Sequence, residues 1–439
     1  MLRKKGLLFA AAVLVGLVVY GLYPRNRYEP ANHQYTGAYR FEDQRLAVLT
    51  PSTEERYRLR FYSGAVRTLL TSDAERFDSF DGFSTKGAAS TTGRFLPDAI
   101  EFEGGETARR IPLSQHFGRF ESDGLTLRGK IVLPIGEGVH PLVVLVHGSE
   151  DYSAVDYYYM SYFLAAHGFA AVAFDKRGTG ESTGEYTQDF QALAGDVVAA
   201  VDWAKEHPRV DGKRVNLLGY SQGGWVAPLA AANIEGLQAL SIHYGVAVSV
   251  AREDRWGYVY ALQQKGFGDE ALESADAINA VMSRIIEERD PAAWSELATL
   301  IDQHRETDWF KAIAGSDSVM GRVAGTTLPM WMWRVYFWFL PKASAQRLWD
   351  PAPTLAAIDA PQHWILAEED SSVPTPETVR VLQRLRAEDR PIDVRTFPDT
   401  DHGIVTYKQD ESGERTLTGY ATEYFSETVS WLKEKNEQP

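Results

Sequence analysis

Short clusters of apolar residues dominate residues 28–115. Residues 47–49, 57–62 and 100–102 alternate or cluster apolar side chains, and turn-forming residues separate them. This spacing is typical of β-strands, and no segment here has the longer period of a helix. The pattern predicts a small all-β domain with an edge open to a partner. Its charged residues indicate an ordinary solvated surface and no catalytic group.

Strands and helices then alternate along the chain. Residues 120–133 alternate polar and apolar side chains around an Asp-Gly pair, which predicts a hairpin. Residues 142–146 and 170–174 are continuous apolar runs, typical of strands covered on both faces of a parallel sheet. Helices are predicted near residues 158–167 and 190–205, and further strands at residues 214–218, 237–242 and 363–367. The repeated order predicts an α/β fold with helices on both faces of the sheet.

The alternation stops between residues 251 and 350. Residues 271–288 and 292–304 predict amphipathic helices, so this segment is expected to form a helical cap over the carboxyl edge of the sheet. The sheet domain is therefore divided into residues 116–250 and 351–439. The densest aromatic run, residues 329–340, is interpreted as packing inside the cap. The alternatives are a wall of an apolar substrate pocket and a membrane contact.

The N-terminal segment, residues 1–27, carries an uncharged apolar run. Residues 7–23 follow Arg3, Lys4 and Lys5, and the run is close to the shortest helix that spans a bilayer. No convincing cleavage site of small residues follows it. We predict an uncleaved membrane anchor with the catalytic domain outside the cytoplasm, in the periplasm if the source is bacterial. Secretion after signal cleavage and a buried core helix are the alternatives.

Composition narrows the functional classes. A length of 439 residues exceeds one typical domain. A net charge of -15 argues against nucleic acid as a partner, because phosphates require a basic surface. The absence of cysteine excludes disulfides, thiolate metal sites and a cysteine nucleophile. The histidines follow no metal-binding spacing, so neither a metal nor a cofactor is expected. The oligomeric state stays open.

The most informative motif is Gly219-Tyr220-Ser221-Gln222-Gly223. It lies between an apolar strand-like run and the alanine-rich residues 225–232, which predict a helix. A bare G-x-S-x-G match can arise by chance, but a sharp turn between strand and helix is the setting of an exposed nucleophilic serine. The amide groups at the start of the helix also favour an anion at this position. Ser221 is therefore the predicted nucleophile.

A serine nucleophile needs a base and a carboxylate that orients the base. His402 is the predicted base, because it lies in a loop after the strand-like residues 392–397 and before the last predicted helix. The predicted carboxylate is Asp370, in the loop that follows the strand ending near residue 367. Its close rivals are Glu368 and Glu369, and the more distant ones are Asp399 and Asp401, which we interpret as loop-capping residues.

The oxyanion formed by attack on a carbonyl needs backbone N–H donors. The donors are predicted to be Gln222, directly after the nucleophile, and Ser149, in the loop after the strand at residues 142–146. We interpret His147 as a structural support of that loop. Asp175 and Arg177 are interpreted as a pair that braces the next loop.

Five segments together resemble the α/β-hydrolase superfamily: LVVLVHGSE, AFDKRGTGESTG, LLGYSQGG, AEEDSSVP and DTDHG. The branch that they resemble is the carboxylesterase, dienelactone-hydrolase and serine-aminopeptidase group, from about residue 120 to the C-terminus. The resemblance implies an α/β-hydrolase sheet with a cap insertion, here preceded by the small β domain and the hydrophobic helix. It implies Ser221 as nucleophile, His402 as base and Asp370 as its orienter. Gln222 and Ser149 would be the oxyanion donors.

One residue departs from the resemblance. Glu150 stands beside the oxyanion loop, where related sequences tend to have glycine. A carboxylate there is expected either to repel anionic substrates or to bind an amine.

The sequence therefore predicts a serine hydrolase that cleaves carboxylic esters through an acyl-enzyme intermediate. The expected substrate is a small acyl ester or a short peptide-like molecule. A serine aminopeptidase, or another amide or thioester hydrolase, is the alternative within the same class. The alternative from another class is a non-catalytic envelope protein whose β domain binds a partner.

Overall fold

The computed structural model describes residues 30–437, apart from residues 53–55, 72, 74, 317, 326–328, 330, 335–343 and 412. The predicted membrane anchor, residues 1–27, lies outside the described residues, as does most of the predicted aromatic run. Within the described ranges, no helix combines the length and the apolar character that crossing a bilayer requires.

Residues 37–110 form a closed barrel of eight antiparallel strands. The strands are β1 (Gly37–Phe41), β2 (Leu46–Pro51), β3 (Arg56–Phe61), β4 (Val66–Thr71), β5 (Arg76–Asp81), β6 (Thr91–Leu96), β7 (Ala99–Phe102) and β8 (Thr107–Arg110). Each strand pairs with the next, and β1 pairs with β8, where Tyr39 lies opposite Arg110. The predicted open edge is therefore wrong, because closure pairs the edge strands with each other.

Aromatic side chains fill the barrel. In β3 the alternation places Tyr57, Leu59 and Phe61 inside, all nearly inaccessible to solvent. The Phe95 ring lies at the centre of this core, stacked on Tyr35 with 4.2 Å between ring centroids. Stacked and edge-to-face rings of this kind add specific attraction to the burial of apolar area. The barrel interior is therefore a packed core.

A mixed sheet of eight strands follows. Its strands are β9 (Leu113–Ser122), β10 (Leu125–Pro134), β11 (His140–Val146), β12 (Ala170–Phe174), β13 (Val210–Tyr220), β14 (Leu237–His243), β15 (Gln362–Ala367) and β16 (Ile392–Phe397). Their order is β16-β15-β14-β13-β11-β12-β10-β9. Strands β9 and β10 form the predicted hairpin, and β11 to β16 are mutually parallel. The carboxyl ends of the six parallel strands meet at one edge.

Helices cover both faces of this sheet. Before the cap they are α1 (Ala154–Tyr157), α2 (Met160–Ala166), α3 (Phe190–Lys205) and α4 (Gly223–Ala231), and after its six helices they are α11 (Ala352–Ala356), α12 (Thr375–Ala387) and α13 (Tyr424–Glu437). In β11, Val144 packs in the core beneath α3 and α4, whereas Val143 and Leu145 pack with α2 and α13. Because both faces are covered, the central strands are apolar throughout rather than alternating.

The cap lies between β14 and β15 and has a core of its own. Its helices are α5 (Val250–Gln264), α6 (Asp269–Ser283), α7 (Ala293–His304), α8 (Asp308–Ile313), α9 (Val319–Ala324) and α10 (Ser344–Arg347). The two predicted cap helices are present, and α6 continues as a π-helical turn at Arg284–Glu288. Within the described part of the aromatic run, Trp333 packs against the cap core and Trp331 is exposed.

The barrel packs on the α2 and α13 face of the sheet. Val48 of the barrel shares a core with Phe163 and Phe425 of these helices. A small antiparallel sheet, formed by β17 (Thr400–Asp401), β18 (Val405–Gln409) and β19 (Arg415–Tyr420), provides a second contact. There the Tyr420 amide donates a hydrogen bond to the Gly64 carbonyl of the barrel at 2.7 Å. The barrel and the sheet are therefore joined by apolar packing and by backbone hydrogen bonding.

Candidate active site

Ser221 lies on a sharp turn at the carboxyl edge of the sheet. Strand β13 ends at Tyr220 and helix α4 begins at Gly223, and Ser221 has a φ of 49°, which is unusual for a residue with a side chain. A methyl group placed on Gly219 would lie 2.9 Å from the Gly223 carbonyl oxygen, and one placed on Gly223 would lie 2.9 Å from the Val146 carbonyl oxygen, so the close approaches at this turn favour glycine at both positions. The turn holds the serine hydroxyl clear of the strand and at the start of the helix.

The structure brings Ser221, His402 and Asp370 together. Nε2 of His402 lies 3.1 Å from Oγ of Ser221. Nδ1 of the same ring lies 3.0 Å and 3.1 Å from the two carboxylate oxygens of Asp370. A hydroxyl, an imidazole and a carboxylate therefore form one continuous hydrogen-bonded series, although they are far apart in sequence.

Among the acidic residues 368–370, Asp370 is the one whose carboxylate contacts the His402 ring. Its side chain is fully buried, and one carboxylate oxygen accepts hydrogen bonds from the amides of Ser372 and Val373 at 2.9 and 2.7 Å. By contrast, Glu369 forms an ion pair with Arg415 at 2.8 Å, and Glu368 is exposed. The backbone donors fix the orientation of the Asp370 carboxylate and satisfy one of its buried oxygens.

Asp401 supports the loop that carries the histidine. Its carboxylate accepts hydrogen bonds from the amides of Ser371 and His402 at 2.8 and 2.7 Å, and it pairs with Arg415 at 2.7 Å. These bonds join the loop that carries Asp370 (the acid loop) to the loop that carries His402. Asp399 is exposed on the turn before them. Neither aspartate contacts the His402 ring.

The pKa of His402 is raised above its ordinary value. Burial alone would lower it, but the charge and hydrogen bond of Asp370 outweigh that effect, and Asp401 and Glu253 add to it. A raised pKa means that the imidazole holds a proton more strongly than a free histidine does. The arrangement therefore stabilises the imidazolium that forms when the ring takes a proton from Ser221.

The two predicted oxyanion donors flank Ser221. Gln222 follows it directly and precedes helix α4, and Ser149 follows Gly148 in the loop after β11. A methyl group on Gly148 would lie 3.2 Å from Cβ of Ser221, so this loop is in close contact with the nucleophile. Within the described residues, the amides of Ser149 and Gln222 have no hydrogen-bond acceptor. Two donors are thus left available beside the serine.

Three side chains that the sequence did not single out as a group hold the loop at residues 147–150. Nε2 of His147 lies 2.8 Å from the Phe174 carbonyl, and burial together with Lys176 lowers the pKa of this histidine to about 3, so it is neutral. The Lys176 ammonium donates to the Gly148 carbonyl at 2.8 Å. The Tyr186 hydroxyl donates to the Ser149 carbonyl. Holding both carbonyls fixes the peptide planes that carry the neighbouring N–H groups.

Asp175 and Arg177 do not pair with each other, contrary to our interpretation from the sequence. Asp175 accepts from the Ser153 hydroxyl at 2.7 Å and lies below the loop that starts α1. Arg177 forms a two-bond ion pair with Asp196 of helix α3, at 2.7 and 2.9 Å. The two side chains point in different directions, so Asp175 supports the start of α1 and Arg177 supports helix α3.

Among the described residues of the cap, Trp256 contacts the site and Glu253 lies near it. Nε1 of Trp256, on helix α5, donates to the backbone carbonyl of Asp370 at 2.9 Å. Glu253, in the first turn of the same helix, lies close enough to raise the pKa of His402. No local pattern in the sequence distinguishes either residue, because both occupy ordinary positions of an amphipathic helix. In the part of the chain that the structure describes, no cluster of His, Asp and Glu side chains could hold a metal ion.

Residues 143–413 match the sequence model of the α/β hydrolase family. The match covers more than half of the chain, so the protein belongs to this family. The resemblance stated from the motifs is thereby confirmed, together with an α/β-hydrolase fold preceded by an all-β barrel.

Curated relatives match over shorter segments. An uncharacterized 31.7 kDa protein of Escherichia coli is 32% identical over 120 residues, which cover 27% of this chain and 41% of the relative. The quorum-quenching protein AidA of Acinetobacter baumannii is 27% identical over 138 residues, 31% of this chain and 45% of the relative. The chain spans less than half the length of each of these relatives.

Solved structures of other hydrolases are similar at low identity. An esterase of Pyrococcus furiosus has a TM-score of 0.41 and 16% identity, covering 66% of this chain and 84% of the esterase. An acylaminoacyl peptidase of Pyrococcus horikoshii has a TM-score of 0.43 and 15% identity, covering 86% of this chain and 52% of the peptidase. At TM-scores this low, the similarity supports no statement about the site or its substrate.

Proposed function

We propose that the protein is a serine hydrolase that cleaves carboxylic esters through an acyl-enzyme intermediate. The observation that carries the proposal is the hydrogen-bonded series from Ser221 through His402 to Asp370. Each member has the partner that its role requires: the hydroxyl faces an imidazole, and the imidazole faces a buried carboxylate held by backbone amides. Membership of the α/β hydrolase family agrees with this chemistry.

In the first half-reaction, Oγ of Ser221 attacks the ester carbonyl as its proton passes to Nε2 of His402. The carbonyl oxygen becomes an anion that accepts hydrogen bonds from the amides of Ser149 and Gln222. His402 then gives its proton to the leaving alcohol, and the acyl group stays on Ser221. Asp370 holds the ring in position and balances its positive charge throughout.

The second half-reaction repeats these steps with water. His402 removes a proton from a water molecule that attacks the acyl carbonyl, and the same two amides stabilise the second oxyanion. The carboxylic acid leaves as His402 returns the proton to Ser221.

The substrate is proposed to be a small acyl ester. Membrane anchoring by residues 1–27 stays a prediction of the sequence.

The proposal is tested with a fluorophosphonate probe, which reacts covalently with an activated serine. We expect the wild type to be labelled at Ser221 and to hydrolyse short-chain aryl esters. Ser221→Ala should lose the label and reduce kcat/KM by at least about 10⁴-fold, because the nucleophile is gone. Ser249→Ala is the matched control, since that hydroxyl makes no capping hydrogen bond before helix α5. A wild type that neither labels nor hydrolyses any aryl ester would overturn the proposal.

A further inference from the structure

Glu150 places a carboxylate next to the nucleophile. A methyl group on Gly148 would lie 2.7 Å from Oε2 of Glu150 and 3.2 Å from Cβ of Ser221. The carboxylate and the serine therefore flank the same glycine, on the side of the site where the Ser149 amide lies. The Glu150 side chain is partly buried there rather than directed into bulk solvent.

The carboxylate is held in place from one side only. Oε1 of Glu150 accepts a hydrogen bond from the hydroxyl of Tyr158. Within the described residues, the hydrogen bond from Tyr158 is the only one that Glu150 accepts on its side chain, and Glu150 forms no ion pair. The nearby Lys176 ammonium donates to the Gly148 carbonyl instead. Burial lowers the pKa of Lys176, and the charge of Glu150 partly offsets this effect. One charged oxygen is thus left beside the serine.

The Glu150 carboxylate raises the free energy of the oxyanion that forms from a neutral substrate. The oxyanion that forms between Ser149 and Gln222 would lie near a negative charge, and like charges in a partly desolvated site repel each other. A positive charge on the substrate, close to the reacting carbonyl, removes this cost by pairing with Oε2. An anionic acyl group would increase the cost.

On the basis of the proposed function, we propose that Glu150 is an ammonium-binding subsite and that the preferred substrates are acyl compounds with a positively charged amine one or two bonds from the scissile carbonyl. The site therefore favours amino-acyl esters over neutral acyl esters of the same shape. The subsite selects the substrate, and the chemistry of Ser221 stays the same.

The test compares two esters that differ only in the amine: the ethyl ester of leucine and the ethyl ester of 4-methylpentanoic acid. For the wild type we expect kcat/KM to be at least about tenfold higher for the leucine ester at neutral pH. Glu150→Gln keeps the shape and an oxygen that accepts from Tyr158, but removes the charge. In this variant the preference should fall about tenfold, and hydrolysis of the neutral ester should become faster, because the carboxylate charge no longer opposes the oxyanion. Equal preferences in wild type and variant would overturn the subsite.

Asp151→Asn is the matched control, because it removes the neighbouring charge from an exposed position, where solvent screens it. Its substrate preference should stay within about twofold of the wild type. A second measurement needs no variant: butylammonium should inhibit hydrolysis of a neutral aryl ester by the wild type at least about tenfold more strongly than butanol. Equal inhibition would contradict the subsite. Labelling of Ser221 without any amine preference rejects the subsite alone, whereas absence of labelling rejects the proposed function.

Discussion

The barrel interior and the carboxyl edge of the sheet are both well packed, but they bury different chemistry. The barrel encloses rings such as Tyr39, Phe77 and Phe95, and none of the described non-glycine residues in its strands has a positive φ. The sheet edge encloses charged groups, among them Asp370 and Lys176, and a serine in a left-handed conformation. One region therefore uses burial for stability, and the other uses it to hold reactive groups.

A buried group that reacts must be more strongly constrained than a buried group that only packs. A ring in the barrel needs only neighbours of suitable shape. A carboxylate such as Asp370 must also be supplied with hydrogen bonds that offset its lost hydration, and these bonds fix its direction. Substitutions in the two regions are therefore expected to separate loss of rate from loss of stability.

The largest effect is expected for Asp370→Asn. An amide side chain supplies no charge to balance the imidazolium and can hold the His402 ring in the wrong tautomer. We expect kcat/KM for an aryl ester to fall about 10³- to 10⁴-fold, with little change in the unfolding midpoint. Asp399→Asn, at an exposed position two residues before Asp401, is the control and should keep wild-type activity. A variant that retains a tenth of the activity would exclude Asp370 as the orienting carboxylate.

The next largest effect is expected in the barrel, for Phe95→Ala. The ring is almost fully buried and contacts Tyr35, Tyr57 and Phe77, so its removal leaves a cavity among aromatic side chains. We expect the free energy of unfolding to fall by about 3–5 kcal/mol, measured by denaturant titration. Phe117→Ala, at a half-exposed ring of β9, should cost less than about 1 kcal/mol.

In Phe95→Ala, kcat should stay unchanged although the free energy of unfolding falls. Below its unfolding transition, Phe95→Ala should retain the wild-type kcat, because its ring packs in the barrel core and no ring contact joins the described barrel residues to Ser221, His402 or Asp370. A large loss of kcat in the fully folded variant would contradict the division between the two regions.

The smallest effect is a shift in pH dependence caused by Glu253→Gln. The base must be neutral to accept a proton, and the pKa of His402 is raised, so activity of the wild type should fall as the pH drops through a value above about 6.5. Removing the Glu253 charge should move this acid limb of kcat/KM to lower pH by a few tenths of a unit. Glu270→Gln on the exposed start of α6 is the control. An acid limb that moves to higher pH would contradict the assignment.

Local patterns were sufficient to predict the elements that carry the site. The runs around β11, β12 and β15 are apolar because these strands are covered on both faces, and this is visible in a single sequence. The turn at Ser221 was predictable for a similar reason, because glycines mark the positions where strand and helix approach most closely.

Other features depend on contacts between distant parts of the chain. Closure of the barrel pairs Tyr39 with Arg110, and no local alternation of side chains distinguishes such a strand from an open edge. The choice of Asp370 over Glu369 depends on the amides of the following turn and on Arg415, which lies on another strand. Asp175 and Arg177 were mispaired for the same reason, since the partner of Arg177 lies on helix α3.

The hydrogen bond from Trp256 to the Asp370 backbone gives the cap a mechanical link to the acid loop. If the cap swings away as one rigid piece, this bond must break, and the loop that aligns the carboxylate loses a support. If only the part of the cap beyond Trp256 moves, the indole keeps its hydrogen bond and the loop keeps its support. Any opening of the cap that is to leave the acid aligned must therefore keep this hydrogen bond.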